Sequence, residues 1–136
     1  MLMSTLFVVD DNVIDQCIIK FNLAKNPIFN RVSYYNGGLP LIDFLVENKE
    51  NPNNLPDAIF LDLSMPEYDG WDVLDALKVI YPMLTKKINI YIVSASIFSQ
   101  DIAKSKEYGF VKEFISKPFT KDNLISISRD VNNISA

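Results

Sequence analysis

The sequence predicts an α/β fold in which five parallel strands form a doubly wound sheet packed between five helices. Two patterns predict it. Short apolar runs alternate with segments of helical spacing along the whole 136-residue chain, which is typical of right-handed βαβ units. In addition, residues 58–61 are apolar without alternation, as expected of a strand covered on both faces of a parallel sheet.

The individual elements follow from these patterns. Strands are predicted at residues 6–9, 32–35, 58–61, 88–93 and, more weakly, 111–115. Between them, apolar stripes at helical spacing indicate a second, a third and a fifth helix, whose stripes are Leu41, Ile42, Leu45 and Val46, then Trp71, Val73, Leu74, Leu77 and Ile80, then Leu124, Ile127 and Val131. The fourth helix, at residues 99–108, has the least apolar content. Thr120 is placed to cap the last helix.

The first helix is predicted to bury a stripe formed by Val13, Ile14, Cys17, Ile18 and Phe21. Cys17 lies at helical spacing among these apolar side chains. It is therefore expected in the core rather than as a reactive thiol.

Composition excludes several classes of protein. The chain has no histidine, so neither a Ser-His-Asp nor a Cys-His catalytic group can form. Its single cysteine excludes an internal disulfide and a multi-cysteine zinc site. The formal net charge is −4, and a nucleic-acid reader normally needs a basic face. No nucleic acid is therefore expected as a partner.

The length is that of one domain, which we predict over residues 1–136, with a core at about 5–133 and no output domain. The first residues lack a cationic segment, and no apolar run reaches about 18 residues, so neither a signal peptide nor contact with a membrane is expected. A lone cysteine suits a reducing compartment. The predicted localisation is the cytoplasm.

The residues that end the strands carry the chemistry. Asp10 and Asp11 follow the first strand, Asp62 the third, Ser94 the fourth and Lys117 the fifth. In such sheets ligands bind outside the carboxyl ends of the strands, near the point where the strand order reverses. Clustered carboxylates repel one another and need a cation, and magnesium prefers oxygen ligands. With a lysine to absorb charge, this arrangement predicts magnesium-assisted phosphoryl transfer to an aspartate.

Four segments of the chain resemble the receiver domain of two-component response regulators, the family of the bacterial chemotaxis regulator. They are residues 8–12 (VVDDN), 61–70 (LDLSMPEYDG), 93–95 (VSA) and 116–119 (SKPF). They occur in the family's order and spacing and span nearly the whole chain. The resemblance implies a flavodoxin-like topology with strand order 2-1-3-4-5.

The resemblance also implies roles at the acidic end of the site. Asp62 corresponds to the phosphoacceptor, and Asp10 and Asp11 to the acidic pair that binds Mg²⁺ together with Asp62. Ser64 matches the position whose backbone carbonyl is a further ligand of the metal. The side chains of Ser64 and Ser96 match the two positions that flank the path of the water that hydrolyses the phosphoaspartate.

On the opposite side of the site, Ser94 matches the hydroxyl residue that binds the phosphoryl group, and Lys117 the lysine that pairs with it. Pro118 matches a proline preceded by a cis peptide bond. Phe114 matches an aromatic switch position, where the family often has tyrosine.

The function implied is that of a switch. A histidine kinase or a phosphotransfer protein would pass a phosphoryl group from phosphohistidine to Asp62, and the protein would catalyse only its own phosphorylation and dephosphorylation. Phosphorylation would then change the surface formed by helix 4, strand 5 and helix 5, where a downstream protein binds. On this chain that surface is predicted to include Ile97, Phe98, Lys104, Tyr108 and Phe114.

Three alternatives are weighed against this reading. A magnesium-dependent phosphatase of the haloacid-dehalogenase type also uses a nucleophilic aspartate, but needs a second aspartate two residues later, where Ser64 follows Asp62. An FMN carrier needs a phosphate loop after the first strand, where this chain has Asp10 and Asp11. A receiver-like scaffold that is never phosphorylated would not need the intact acids and Lys117.

Overall fold

Five parallel strands form a single sheet in the computed structural model, which describes residues 4–96 and 98–135, the side chains of 131–135 excepted. The strands are β1 (Thr5–Val9), β2 (Arg31–Tyr35), β3 (Ala58–Leu61), β4 (Asn89–Ser94) and β5 (Val111–Ser116). Their order across the sheet is β2-β1-β3-β4-β5. This confirms the predicted order, and each strand lies within one residue of its predicted bounds.

Helices connect successive strands and cover both faces. They are α1 (Val13–Lys25), α2 (Gly38–Glu47), α3 (Gly70–Ile80), α4 (Ser99–Ser105) and α5 (Lys121–Ser135), and a 3₁₀ turn at Tyr81–Met83 follows α3. The fourth helix ends earlier than predicted, at Ser105. Thr120 caps α5 as predicted, because its hydroxyl accepts a hydrogen bond from the Asn123 N–H. Among the helices of the described residues, none is both long enough and apolar enough to cross a membrane.

Two apolar layers hold the helices to the sheet. Alternate residues of one strand enter opposite layers, and all four residues of β3 are buried, as the unbroken apolar run predicts. The layer under α2 and α3 includes Phe7, Val9, Leu41, Leu45, Ile59, Leu61, Leu74, Leu77 and Ile92. The layer under α1 and α5 includes Leu6, Val8, Ile19, Leu23, Phe60, Tyr91, Val93, Leu124 and Ile127.

The predicted buried face of α1 is wrong except at Ile18, which is half-buried against the layer under α1 and α5. Val13, Ile14 and Phe21 are 69%, 71% and 60% exposed, and Cys17 is exposed rather than in the core. The residues of α1 that are buried are instead Gln16, Ile19 and Leu23.

The cause of this error is a buried polar residue. The Gln16 amide donates hydrogen bonds to the backbone carbonyl of Asp10 and to the side-chain oxygen of Asn36, so its burial leaves no donor unsatisfied. The helix carries apolar residues on both its buried and its exposed side, and Gln16 interrupts the apolar pattern of the buried side. The apolar pattern alone therefore predicts, wrongly, that the exposed side is the buried one.

Two isoleucines of α1 test this assignment. Ile19→Ala should lower the free energy of unfolding by about 2–5 kcal/mol, because Ile19 is 2% exposed and the change leaves a cavity. Ile14→Ala, the matched control on the same helix, should change it by no more than about 0.5 kcal/mol. Urea denaturation of both variants measures the difference. Equal losses of unfolding free energy in the two variants would support the buried face of α1 that the sequence predicts.

Candidate functional site

The register of the central strands brings the acidic residues together. Val9 of β1 pairs with Leu61 of β3, so Asp10 and Asp62 follow at the same level on neighbouring strands. This is where the strand order reverses, since β2 lies on one side of β1 and β3 on the other. Both aspartates are buried and Asp11 is exposed. One carboxylate oxygen from each of the three lies within 4.8 Å of the others.

This donor set fits a hard divalent cation. Three carboxylates offer the oxygen ligands that magnesium and calcium take, and the exposed Asp11 leaves one side of the cluster open to solvent. The Asp10 carboxylate is held in place, since its Oδ1 accepts a hydrogen bond of 2.9 Å from the Asn12 N–H. The cluster can therefore hold a metal ion.

Lys117 is the cation that the protein itself supplies to these acids. Its Nζ lies 2.7 Å from Asp15 Oδ2, 3.0 Å from Asp10 Oδ2 and 3.4 Å from Asp62 Oδ2. Burial alone would lower the pKa of Lys117, but the hydrogen bonds to Asp15 and Asp10 and the charges of Asp62 and Asp10 outweigh it and raise the pKa. The lysine is therefore fully charged at neutral pH.

The surroundings of Asp62 disfavour its negative charge. Burial, and then the charge of Asp10, raise its pKa to about 6, although Lys117 and a hydrogen bond from the Ser64 N–H oppose that shift. That N–H lies 3.2 Å from Asp62 Oδ1. An added cation, or loss of the charge of Asp62, would therefore relieve both the cost of burying that charge and its repulsion from Asp10.

Ser94 and Pro118 complete the neighbourhood of Lys117. Ser94 is buried at the end of β4, and its hydroxyl accepts a 3.2 Å hydrogen bond from the Ser96 N–H. The backbone N–H of Lys117 donates to the Ser94 carbonyl at 2.8 Å, which joins β4 and β5 at this edge. The Lys117–Pro118 peptide bond is cis.

Ser64 and Ser96 line one shallow cleft beside Asp62, together with Ser94, Trp71 and Asp101. The Ser96 hydroxyl donates a hydrogen bond to the Asp101 carboxylate. Asp101 was not among the residues predicted from sequence, because it lies in α4, five residues beyond Ser96, and no motif marks it.

Gly70 lets α3 begin directly against the strand end that carries Asp62. A Cβ on Gly70 would lie 2.5 Å from the Asp62 carbonyl oxygen and 2.6 Å from the Leu63 Cα. Any other residue would push the helix away from the loop that leads out of the site. The glycine of the 61–70 segment is therefore a packing requirement.

The predicted surface of α4 and β5 is only partly exposed. Phe98 and Lys104 are exposed, and Phe114 is half-buried against the layer under α2 and α3. Tyr108, predicted on the surface, is buried, because its ring packs on Trp71 and its hydroxyl donates to Asp75 at 2.6 Å. Ile97 lies outside the described residues.

Sequence reasoning missed Asp15 and Gln16. Asp15 lies in the first turn of α1, where an acid is favourable for the helix dipole alone, and Gln16 reads as a polar surface residue. Asp15 contacts Lys117, which is distant in the sequence, and Gln16 contacts the Asp10 carbonyl across a turn. No local signal distinguishes them from ordinary helix residues.

Nucleotide carriers with a doubly wound sheet have a phosphate-binding loop at the end of the first strand. This protein has carboxylates and a lysine at the strand ends instead, which defines a receiver-type signalling domain. The family model for the response regulator receiver domain matches residues 6–129. The chain therefore belongs to the receiver domain family of two-component response regulators.

Individual proteins agree with this assignment. The chain is 29% identical over 106 residues to the sporulation initiation phosphotransferase F of Bacillus subtilis, and the aligned segment covers 75% of this chain and 77% of that protein. It is 29% identical over 125 residues to the chemotaxis protein CheY of Listeria monocytogenes, which covers 90% and 93%. A two-component response regulator from Cytophaga hutchinsonii has the same fold, with a TM-score of 0.87, 22% identity and coverage of 98% and 99%.

Asp62→Asn should raise the free energy of unfolding of the metal-free protein at neutral pH. The pKa of Asp62 is raised from 3.8 to about 6 in the fold, so the folded state binds more protons than the unfolded chain between these values. The stability of the wild type therefore falls as pH rises through that window. The advantage of the variant should shrink towards pH 4, where the Asp62 carboxyl group of the folded wild type is largely protonated and uncharged.

Urea denaturation in a metal chelator, repeated between about pH 4 and pH 7, measures this effect. Asp57→Asn is the matched control, because the buried Asp57 carboxylate bonds Lys86 at 3.0 Å and the Thr5 N–H at 2.8 Å. Asparagine at this position has a single acceptor oxygen and no charge, so one of the two donors loses its partner and the protein should be destabilised at neutral pH. A destabilised Asp62→Asn would show that Lys117 compensates the Asp62 charge fully.

Proposed function

We propose that this receiver accepts a phosphoryl group on Asp62 from a phosphohistidine of a histidine kinase or phosphotransfer protein. The observation that carries the proposal is the position of the Asp62 carboxylate, which lies within 4.8 Å of the ligand oxygens of Asp10 and Asp11 and 3.4 Å from Lys117 Nζ. Positive charge on two sides of one carboxylate is what an incoming phosphoryl group needs.

The metal of this proposal is Mg²⁺, held by Asp10, Asp11, Asp62 and the backbone carbonyl of Ser64. When bound, it neutralises carboxylate charge and draws electron density from the phosphoryl oxygens. An Asp62 oxygen attacks the phosphorus, the bond from phosphorus to the imidazole nitrogen of the donor breaks, and the imidazole leaves with that electron pair. Lys117 compensates the charge on a phosphoryl oxygen, and the Ser94 hydroxyl donates to another.

The phosphoryl group stays on the chain, so the protein acts as a switch and not as an enzyme that releases a product. When the Ser94 hydroxyl turns towards a phosphoryl oxygen, its movement shifts the partner of its hydrogen bond, the Ser96 N–H at the start of the β4–α4 loop. That change, followed by a movement of the Phe114 side chain, would alter the surface of α4, β5 and α5, where Phe98 and Lys104 are exposed. A downstream protein would bind there.

The phosphodonor must cover the open end of the sheet to bring its histidine to Asp62. Val13 and Ile14 follow the acidic pair at this end and are largely exposed, and Cys17 and Phe21 continue the apolar surface along α1. Exposed apolar patches of this kind mark interaction sites. We place the phosphohistidine-bearing protein on this face of α1.

The phosphatase alternative is not favoured. Phosphoaspartate phosphatases need an acid/base group next to the nucleophile, whereas Ser64 occupies the position two residues after Asp62 and is exposed. The scaffold alternative makes the opposite prediction in the labelling experiment below, since a protein that only binds partners takes up no phosphate.

Asp62 should be the single phosphorylation site. Incubated with magnesium and acetyl phosphate, the wild type should gain one phosphoryl mass that is lost in alkali, because an acyl phosphate hydrolyses there. Asp62→Asn should gain none, and Asp43→Asn, which removes an exposed carboxylate of α2, should be labelled like the wild type. Intact-mass measurement distinguishes these results. Labelling of Asp62→Asn would contradict the assignment.

Ser96→Tyr should slow hydrolysis of the phosphorylated protein several-fold. Ser96 lines the cleft beside Asp62, and a bulky side chain there obstructs the water that attacks the phosphorus in line. The metal ligands are unchanged, so phosphorylation itself should persist. Ser99→Tyr, the same substitution at the exposed first residue of α4, is the control. Decay followed by intact mass at fixed magnesium tests this, and equal rates for all three proteins would remove Ser96 from the water path.

A further inference from the structure

The shortest contact of Lys117 is with a residue outside the proposed phosphorylation site. Its Nζ lies 2.7 Å from Asp15 Oδ2, compared with 3.0 Å from Asp10 and 3.4 Å from Asp62. Asp15 is not one of the three acids whose oxygens cluster for a metal ion. The ammonium group is therefore drawn towards α1 and away from the phosphoacceptor.

The Asp15 carboxylate does not close a capping box at the start of α1. Asp15 is the third residue of α1, where an acid commonly closes a capping box by accepting from the backbone N–H of the N-cap residue. Here the N-cap N–H, that of Asn12, donates to Asp10 instead. Within the described part of the chain, Lys117 is the hydrogen-bond donor to the Asp15 carboxylate.

We propose that Asp15 is a positioning residue that holds the Lys117 ammonium group in the unphosphorylated state and releases it to the phosphoryl group on Asp62. This inference rests on the proposed function. It assigns to Asp15 a role in setting how readily the site takes up a phosphoryl group, because the new anion has to compete with Asp15 for the same lysine.

Burial decides which partner Lys117 gives up. The Asp15 side chain is 26% exposed, whereas that of Asp10 is 3% exposed. Water can replace the lost hydrogen bond at Asp15, whereas the buried Oδ2 of Asp10 would lose a hydrogen-bond donor that water cannot reach to replace. Lys117 therefore keeps Asp10 and exchanges Asp15 for a phosphoryl oxygen.

The competition has a definite sign. Removing the Asp15 charge takes away a partner that only the unphosphorylated state uses, so the phosphorylated state gains relative to it. Asp15→Asn should bind beryllofluoride, a tetrahedral phosphoryl analogue that binds aspartate, about three- to tenfold more tightly than the wild type at saturating magnesium. A merely structural role for Asp15 would leave this affinity unchanged or weaken it.

Two variants separate positioning from simple loss of charge. Glu67→Gln removes one negative charge from the exposed loop that follows Asp62 and does not involve Lys117, so it should bind beryllofluoride like the wild type. Asp15→Glu retains a carboxylate that can reach Lys117 and should return the affinity towards the wild-type value.

The experiment is a beryllofluoride titration of the four proteins with magnesium in excess, followed by the fluorescence of Trp71, which lines the cleft beside Asp62, and by fluorine NMR. Thermal melting shows that each variant is folded. An unchanged or weaker affinity in Asp15→Asn, or an equal gain in Glu67→Gln, overturns the inference. Failure of the wild type itself to bind beryllofluoride would instead overturn the proposed function.

Discussion

Electrostatic repulsion among carboxylates at the reversal point of the sheet is the constraint on which the rest of the site depends. Two unit charges about 4 Å apart repel by about 4 kcal/mol at an effective dielectric constant near 20, and Asp10 and Asp62 are both buried. The fold tolerates this because Lys117 contacts both acids and Asp15. Burial of Asp62, and then the uncompensated charge of Asp10, raise the pKa of Asp62 and make the site receptive to a further cation.

The fold keeps these charges together by fixing the strand ends. Both faces of β1 and β3 are packed in apolar layers, so Asp10 and Asp62 cannot separate without disturbing the core. The Gln16 amide donates a hydrogen bond to the Asp10 carbonyl, and Gly70 lets α3 lie directly against the backbone of Asp62. The repulsion is therefore stored at the site instead of relaxing through backbone movement.

The hydrogen bonds around the site connect it to the surfaces where partners would bind. Lys117 leads to α1 through Asp15, and Ser94 leads to α4 through Ser96 and Asp101. A phosphoryl group that recruits Lys117 would break its contact with Asp15, and one that recruits Ser94 would shift the hydrogen bond between Ser94 and Ser96. The broken contact leaves the partly exposed Asp15 carboxylate, to which water can bind instead.

The sequence by itself determined the strands, their order through the family resemblance, and the acids and lysine that end them, because strand period and chain order are local properties. Tertiary structure alone decided which face of α1 is buried, and it moved Cys17 to the surface and Tyr108 into the core. It also brought Asp15 to Lys117, 102 residues away in the chain. Helical periodicity shows which side chains share a face, but only packing against the rest of the molecule shows which face turns inward and which distant charges meet.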